Sequence, residues 1–221
     1  MKKILLFSAL LLALIVSCHK PVKPDDEKPP DEIANAIWPF HENSFWEFDV
    51  WEVVSGEDFD YFEKYHVEEI FADSGKRVAK IKFTKYTEDT TFAEFTFWWG
   101  NKAEGLFEFA PFGDVFSAFD EQRLLFKFPA TDMDSFQTYS WDFTNPYTML
   151  FFDIGIPTMV VPAGSFEGCV GYQLHRQVGH EPPVDNYYYF KPDTGYIRYE
   201  KYEAGSLVKT RSLKTLAITG D

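Results

Sequence analysis

The chain has 221 residues, with 21 Lys and Arg against 35 Asp and Glu, a net charge of −14. A surface this acidic repels phosphate backbones and anionic headgroups, which excludes nucleic acid as a partner and rules out membrane attachment through a basic patch. Aromatic residues make up 19% of the chain, with 24 Phe, 12 Tyr and 6 Trp, and such side chains suit the pleated, half-buried surface of a β-sheet.

The first element is a leader. Lys2 and Lys3 precede an apolar run from Ile4 to Val16, the charged start and short hydrophobic core of a secretory signal peptide. The run is shorter than the ~20 residues of a spanning helix. Ile15-Val16-Ser17-Cys18 resembles a lipobox, which implies cleavage before Cys18, a diacylglycerol on its thiol and a further acyl chain on the freed amine. Two or more chains anchor a protein stably. Loss of residues 1–17 removes two lysines, leaving 19 basic against 35 acidic side chains, a net charge of −16.

Residues 18–36 read as the lipidated cysteine and a tether. Pro21, Pro24, Pro29 and Pro30 alternate with Asp25, Asp26, Glu27, Asp31 and Glu32. Such an arm stays extended at ~3.1 Å per residue, reaching about 50 Å from the bilayer. Lys23-Pro24-Asp25-Asp26-Glu27 is similar to the acidic signals that send some Bacteroidota lipoproteins to the cell surface, or is a solvated spacer. The expected address is the cell envelope, lipid-anchored at the outer membrane, on its periplasmic or surface side.

Residues 37–218 read as one β-rich domain. Trp46, Phe48 and Val50 alternate with Glu47 and Asp49; Phe59, Tyr61, Tyr65, Val67 and Phe71 share another face, away from Lys64, His66 and Glu68. Ala79, Ile81 and Phe83 alternate with Lys80, Lys82 and Thr84, and Leu124, Phe126 and Phe128 flank Leu125 and Lys127. Period two over such runs means strands with one covered face. Turn residues at Ser55-Gly56, Ser74-Gly75, Gly100-Asn101, Asn145-Pro146 and Pro192-Asp193 space the strands as in an antiparallel meander. The expected fold is all-β: a single curved, mainly antiparallel sheet or partly open barrel. At most one or two short helices are expected, the best candidate being Asp114–Glu121.

Chemical motifs are sparse. Gly164-Ser165-Phe166-Glu167-Gly168 lacks the spacing of a nucleophile elbow. His175 and His180 share no face of a helix or strand, and Asp132-Met133-Asp134 lacks the further ligands of a calcium loop. No catalytic residue, metal ligand or cofactor is assigned. With Cys18 acylated, Cys169 has no partner for an intramolecular disulfide and is expected to be buried and inert. The candidate contacts for a ligand or partner are Trp98, Trp99, Phe107 and Phe109. Trp98 is expected to point out with Glu94 and Thr96 while Phe95, Phe97 and Trp99 pack inward. Phe112, Phe116 and Phe119 add to the second aromatic concentration. The function expected is non-enzymatic binding of a hydrophobic or glycan ligand, or a structural role. The alternatives are a surface accessory of an uptake or adhesion assembly and a glycan-active hydrolase, which needs two carboxylates across a groove.

Three segments carry a family resemblance: Trp38-Pro39-Phe40-His41-Glu42-Asn43-Ser44-Phe45-Trp46-Glu47-Phe48, then Val161-Pro162-Ala163-Gly164-Ser165-Phe166-Glu167-Gly168-Cys169-Val170, and the stretch from Tyr187 to Glu200. Together the chain resembles envelope lipoproteins of Bacteroidota and related phyla labelled TapB-like. The resemblance implies a curved antiparallel sheet and supplies no catalytic residues. The family has glycine near Asn43 and Asp193, and Asn and Asp are the residues that best replace it in left-handed backbone. Pro162 and Gly164 are expected to make a turn that feeds a strand from Phe166 to Leu174, and Pro192 and Gly195 a turn between Tyr187–Phe190 and Tyr196–Glu203.

Overall fold

The structure, a computed structural model, describes residues 36–73, 76–109, 122–139, 146–156, 158–177 and 180–219. The leader, Cys18, the tether up to residue 35 and the expected helix at Asp114–Glu121 lie outside the described residues, with Phe112, Phe116 and Phe119.

Among the described residues the fold is all-β, without a helix. The first half is a meander: β1 (Phe45–Val54), β2 (Glu57–Asp73), β3 (Lys76–Tyr86), β4 (Thr91–Lys102), β5 (Gly105–Phe109) and β6 (Gln122–Lys127). The second half runs through β7 (Ser135–Tyr139), β8 (Pro146–Ile156), the short hairpin β9 (Met159–Val161) and β10 (Gly164–Phe166), and β11 (Cys169–Arg176). It ends with β12 (Val184–Lys191), β13 (Gly195–Glu203) and β14 (Ser206–Ala217). Twelve of these form one antiparallel sheet in the order β6-β5-β4-β3-β2-β1-β14-β13-β12-β11-β8-β7. The sheet nearly closes: the Thr138 hydroxyl on β7 lies 3.0 Å from the Leu124 carbonyl and 3.2 Å from that of Leu125, both on β6.

Period two explains the inner wall. Trp46, Phe48, Val50, Tyr61, Tyr65, Val67, Ala79, Ile81 and Phe83 are all buried in one core. A bulge between Val67 and Glu69 breaks the alternation. It turns Ile70 to the main core and carries Phe71 to the opposite face, where it joins Val78 and Trp98. The expected common face of Phe59 through Phe71 therefore stops at Val67. Similarly, the expected strand from Phe166 to Leu174 is divided: Gly168, at φ +64°, separates the β9–β10 hairpin from β11.

The opening motif fills the barrel. Trp38 sits among Phe40, Trp46, Tyr65, Trp99, Phe190 and Tyr196, with ring centroids 5.3 to 6.0 Å away. Polar contacts hold this segment: Asn101 Nδ2 donates to the Trp38 carbonyl at 2.7 Å, and Asp193 N–H to that of Ala36 at 2.8 Å. Burying an indole of this size contributes about 5 kcal/mol in transfer free energy. Gly195 makes room for it, because a Cβ there would lie 2.4 Å from Trp38 Cδ1. From the other wall, Phe126 packs edge-on against Tyr172 and Phe190, and the Tyr172 hydroxyl donates to the Lys127 carbonyl at 2.8 Å.

Candidate functional site

The aromatic residues singled out from sequence are divided between two faces. Trp99 points into the main core, stacked on Phe97 at 4.9 Å. Trp98, Phe107 and Phe109 gather on the opposite face around Val78, with the Phe71 and Trp98 rings 5.5 Å apart. Lys102 Nζ lies 5.0 Å from the Phe107 ring. Trp98 and Phe107 are half-buried and Phe109 is buried. Trp98 thus faces away from Phe97 and Trp99, as its register demands, but a neighbouring strand covers part of it.

Inside the barrel lies a charged cluster. Glu63 on β2 is fully buried and forms an ion pair with Arg211 on β14; Lys85 Nζ is 3.6 Å and Lys209 Nζ 3.7 Å from its other oxygen. The Tyr61 hydroxyl donates to Glu52 at 2.7 Å and accepts from Lys209 at 2.6 Å. The Arg211 guanidinium lies within 5.4 to 6.0 Å of the Phe48, Tyr65, Tyr196 and Tyr199 ring centres, a cage in which it keeps its charge. Burial lowers the Lys209 ammonium against the pull of Glu63, and the Glu52 carboxyl falls because Tyr61 and Lys209 outweigh its desolvation. Each ion here has its counter-ion, so the cluster is a means of burying charge in a barrel wall. Among the described residues Glu108 is a second buried carboxylate; burial raises it, with the Trp99 indole and Arg123 acting against the rise.

A different feature lies across β1 and β2. A groove of about 660 Å³ is lined by Trp51, Phe62, Asp49, Asp60, Glu88 and Asp89, among others. Asp49, Trp51, Asp60 and Phe62 come from the positions that alternate with the core residues Val50 and Tyr61. Glu88 and Asp89 belong to the β3–β4 turn, and Pro162 of the β9–β10 hairpin lines the groove too. The Ala163 N–H fixes that hairpin by donating to the Leu213 carbonyl at 3.0 Å. The volume falls within the range of small-molecule sites, about 300–1,000 Å³. The Trp51 ring beside the Asp60, Glu88 and Asp89 carboxylates suits a polyhydroxylated ligand, whose C–H face stacks while its hydroxyls donate; Phe62 and Asp49 are engaged by Lys214, whose Nζ lies 4.0 Å from the ring centre and 3.4 Å from Asp49 Oδ1. Sequence reading missed this groove because its residues come from four separate parts of the chain: β1–β2, the β3–β4 turn, the β9–β10 hairpin, and Thr210 and Ser212 on β14.

The remaining candidates find ordinary partners. His175 Nδ1 is 2.7 Å from Asp185, and His180 is exposed. Lys127 donates to Asp134 at 2.6 Å, and that bond with the Thr131 N–H lowers the Asp134 carboxyl. Among the described residues no three His, Cys, Asp or Glu side chains are grouped to hold a metal ion. Ser165 lies on β10 of a two-stranded hairpin. Cys169 is buried, its thiol pushed up by desolvation.

No family model matches the chain, and no curated protein matches it either. Two solved structures share its fold. One is a Bacteroides fragilis protein provisionally described as exported, with a YmcC-like fold; identity is 16%, covering 83% of this chain and 100% of that one, at a TM-score of 0.50. The other is a Parabacteroides distasonis protein provisionally described as a lipoprotein, also 16% identical, covering 83% of this chain and 99% of that one, at a TM-score of 0.54.

Proposed function

We propose that the chain is an envelope lipoprotein of the TapB-like kind, cut before Cys18 and held by acyl chains at the outer membrane, with a non-enzymatic binding module as its folded part. The lipobox-like Ile15-Val16-Ser17-Cys18 and the proline-rich acidic tether support the address. So do the descriptions of the two structural neighbours as an exported protein and a lipoprotein. Metabolic labelling with radioactive palmitate tests it: wild type incorporates label and Cys18→Ala does not, and equal incorporation overturns the anchoring.

The observation that carries the binding role is the groove in which Trp51 lies beside Asp60, Glu88 and Asp89. Its chemistry favours a neutral or cationic glycan over a hydrophobic ligand, since its carboxylates repel anions and accept hydroxyl donors. Native mass spectrometry of the purified chain, followed by titration with neutral and amino-sugar oligosaccharides, tests this. A saturable change in tryptophan fluorescence that Trp51→Ala abolishes supports the reading. Retention of full binding by Trp51→Ala, or no binding by any sugar, refutes it. A second reading, as accessory to a larger assembly, is favoured by the exposed part of β4.

A further inference from the structure

The two ends of the barrel differ. Ala36 and Trp38 enter beside the β12–β13 turn, where the Asp193 N–H holds the Ala36 carbonyl and Trp38 packs into the core. The β1–β2, β3–β4 and β13–β14 turns lie at the other end, because these strands pair antiparallel with their neighbours. At that end the inner wall comes to the surface. Val54, Phe59, Phe92, Phe95 and Leu207 are five of the eight large hydrophobic side chains exposed among the described residues, so apolar exposure is concentrated here rather than scattered. Register puts Phe59 opposite Glu52 and Phe95 opposite Phe83, on the face that carries the core. Phe59 is 42% exposed, Phe92 47% and Phe95 54%, whereas their neighbours Tyr61 and Phe83 are buried. The Phe92 ring centre is 5.6 Å from Tyr61 and 6.2 Å from Phe59, and Phe95 is 6.1 Å from Phe83.

Lys85 stands between these two groups of rings, with Nζ 5.7 Å from the Tyr61 ring centre and 5.9 Å from that of Phe83. It is half-buried and opposite Glu63 in the β2–β3 register. At 3.6 Å from that carboxylate its ammonium lies beyond ordinary hydrogen-bonding distance. Glu63 is already neutralised by Arg211, and Lys209 pairs with Glu52 at 3.0 Å. Lys85, Lys209 and Arg211 against Glu52 and Glu63 leave one positive charge in excess on this inner wall. The outer face of the same strands has the opposite sign, with Asp60 and, from the β3–β4 turn, Glu88 and Asp89.

We propose that this end of the inner wall binds a free long-chain fatty acid, its carboxylate on the Lys85 ammonium and its hydrocarbon chain across Phe59, Phe92 and Phe95. One excess cation matches one carboxylate, and an ion pair at the edge of apolar surface is stronger than the same pair in open water. A chain of net charge −14 repels an anionic bilayer, so the occupant is a single molecule drawn to a local cation rather than a membrane surface. The site goes beyond the glycan groove: Lys85 and Trp51 belong to opposite faces of the sheet.

The test uses the acylated mature chain in phosphatidylcholine vesicles. The probe is a long-chain fatty acid carrying a photoactivatable diazirine along its chain, and the control is the alcohol of the same length. After irradiation, peptide mass spectrometry finds the label on the segments around Phe59 and Phe92, and unmodified fatty acid competes it away. The alcohol labels these segments about tenfold less, the loss of one charge-assisted bond. Lys85→Gln removes the preference for the acid. Phe92→Asp, at an exposed position, loses the label while the melting temperature holds, and Trp51→Ala labels as wild type does. Equal labelling by acid and alcohol in the wild type overturns the proposal, in favour of adsorption from the bilayer. Label confined to other strands, or lost in Trp51→Ala, also overturns it. So does a Lys85→Gln chain that still prefers the acid. If the fatty acid fails while an oligosaccharide still binds through Trp51, this proposal falls and the glycan reading stands.

Discussion

Replacing Gly195 by alanine places a methyl group where the Trp38 indole already sits. The new Cβ meets Trp38 Cδ1 at 2.4 Å, Nε1 at 2.7 Å and Cγ at 3.0 Å, and the backbone at φ +103° is one that L-residues rarely adopt. The conformational part costs about 1–2 kcal/mol. The collision adds about 1–3 kcal/mol, since the indole is wedged among six rings and cannot withdraw without opening a void. Gly205 provides the control: its φ is +80° and nothing lies within 4 Å of a Cβ there, so Gly205→Ala carries the backbone cost alone. At about 2–4 °C per kcal/mol for a chain of this size, Gly195→Ala melts roughly 5–15 °C below wild type and clearly below Gly205→Ala. A double-mutant cycle sharpens the comparison. Trp38→Ala costs about 3–5 kcal/mol alone, but on that background Gly195→Ala loses its steric part and costs no more than Gly205→Ala. Urea unfolding followed by far-UV circular dichroism reads all four variants. Additivity of the two substitutions within about 0.5 kcal/mol refutes the reasoning, because it means the glycine is not there for the tryptophan.

Other expectations follow from the buried ions and the thiol. Arg211→Leu strands the fully buried Glu63 carboxylate and destabilises by about 3–5 kcal/mol in urea, and the double variant Glu63→Gln/Arg211→Leu recovers part of that; an effect under about 1 kcal/mol contradicts the ion pair. Because burial raises the Glu108 carboxyl in the fold, the folded chain keeps that proton to higher pH than the unfolded one, so this residue's contribution is present at low pH and lost as pH rises from the ordinary carboxylate range through the folded value. Glu108→Gln therefore gains in melting temperature relative to wild type across that window, and a difference constant from about pH 4 to 8 speaks against it. Cys169, buried with a raised thiol, reacts with a thiol reagent at well under about a tenth of its unfolded rate; equal rates in buffer and in guanidinium, measured on Cys18→Ala, show that it is open.

What could be read in the sequence was whatever a period of two or a single backbone angle decides. The inner faces of β1 and β3 are as alternation placed them. Asn43 and Asp193, read as stand-ins for glycine, have φ of 65° and 60°. The failures occur where a local pattern meets a non-local event. The bulge after Val67 moves Phe71 to the other face, and nothing in Val67-Glu68-Glu69-Ile70 announces it. Glu63 lies on the apolar face between Tyr61 and Tyr65 and was passed over; its partners Lys209 and Arg211 lie almost 150 positions later, and only the β1–β14 pairing brings them near. The groove at Trp51 is assembled from separate hairpins in the same way. Trp38 looked like part of a motif; its role as the centre of the barrel needed the barrel.

The pairing of β1 with β14 joins the two ends of the domain in the middle of the sheet, with Phe45 opposite Ala217 and Glu52 opposite Lys209. A chain made amino end first therefore offers β1 with one margin bare until the last dozen strand residues have arrived. Loop closure over such a separation is slow relative to the hairpins on either side, so the meander from β1 to β6 has to wait, half-made and rich in aromatic surface. A stop before Ser206 leaves two meanders with no strand to join them.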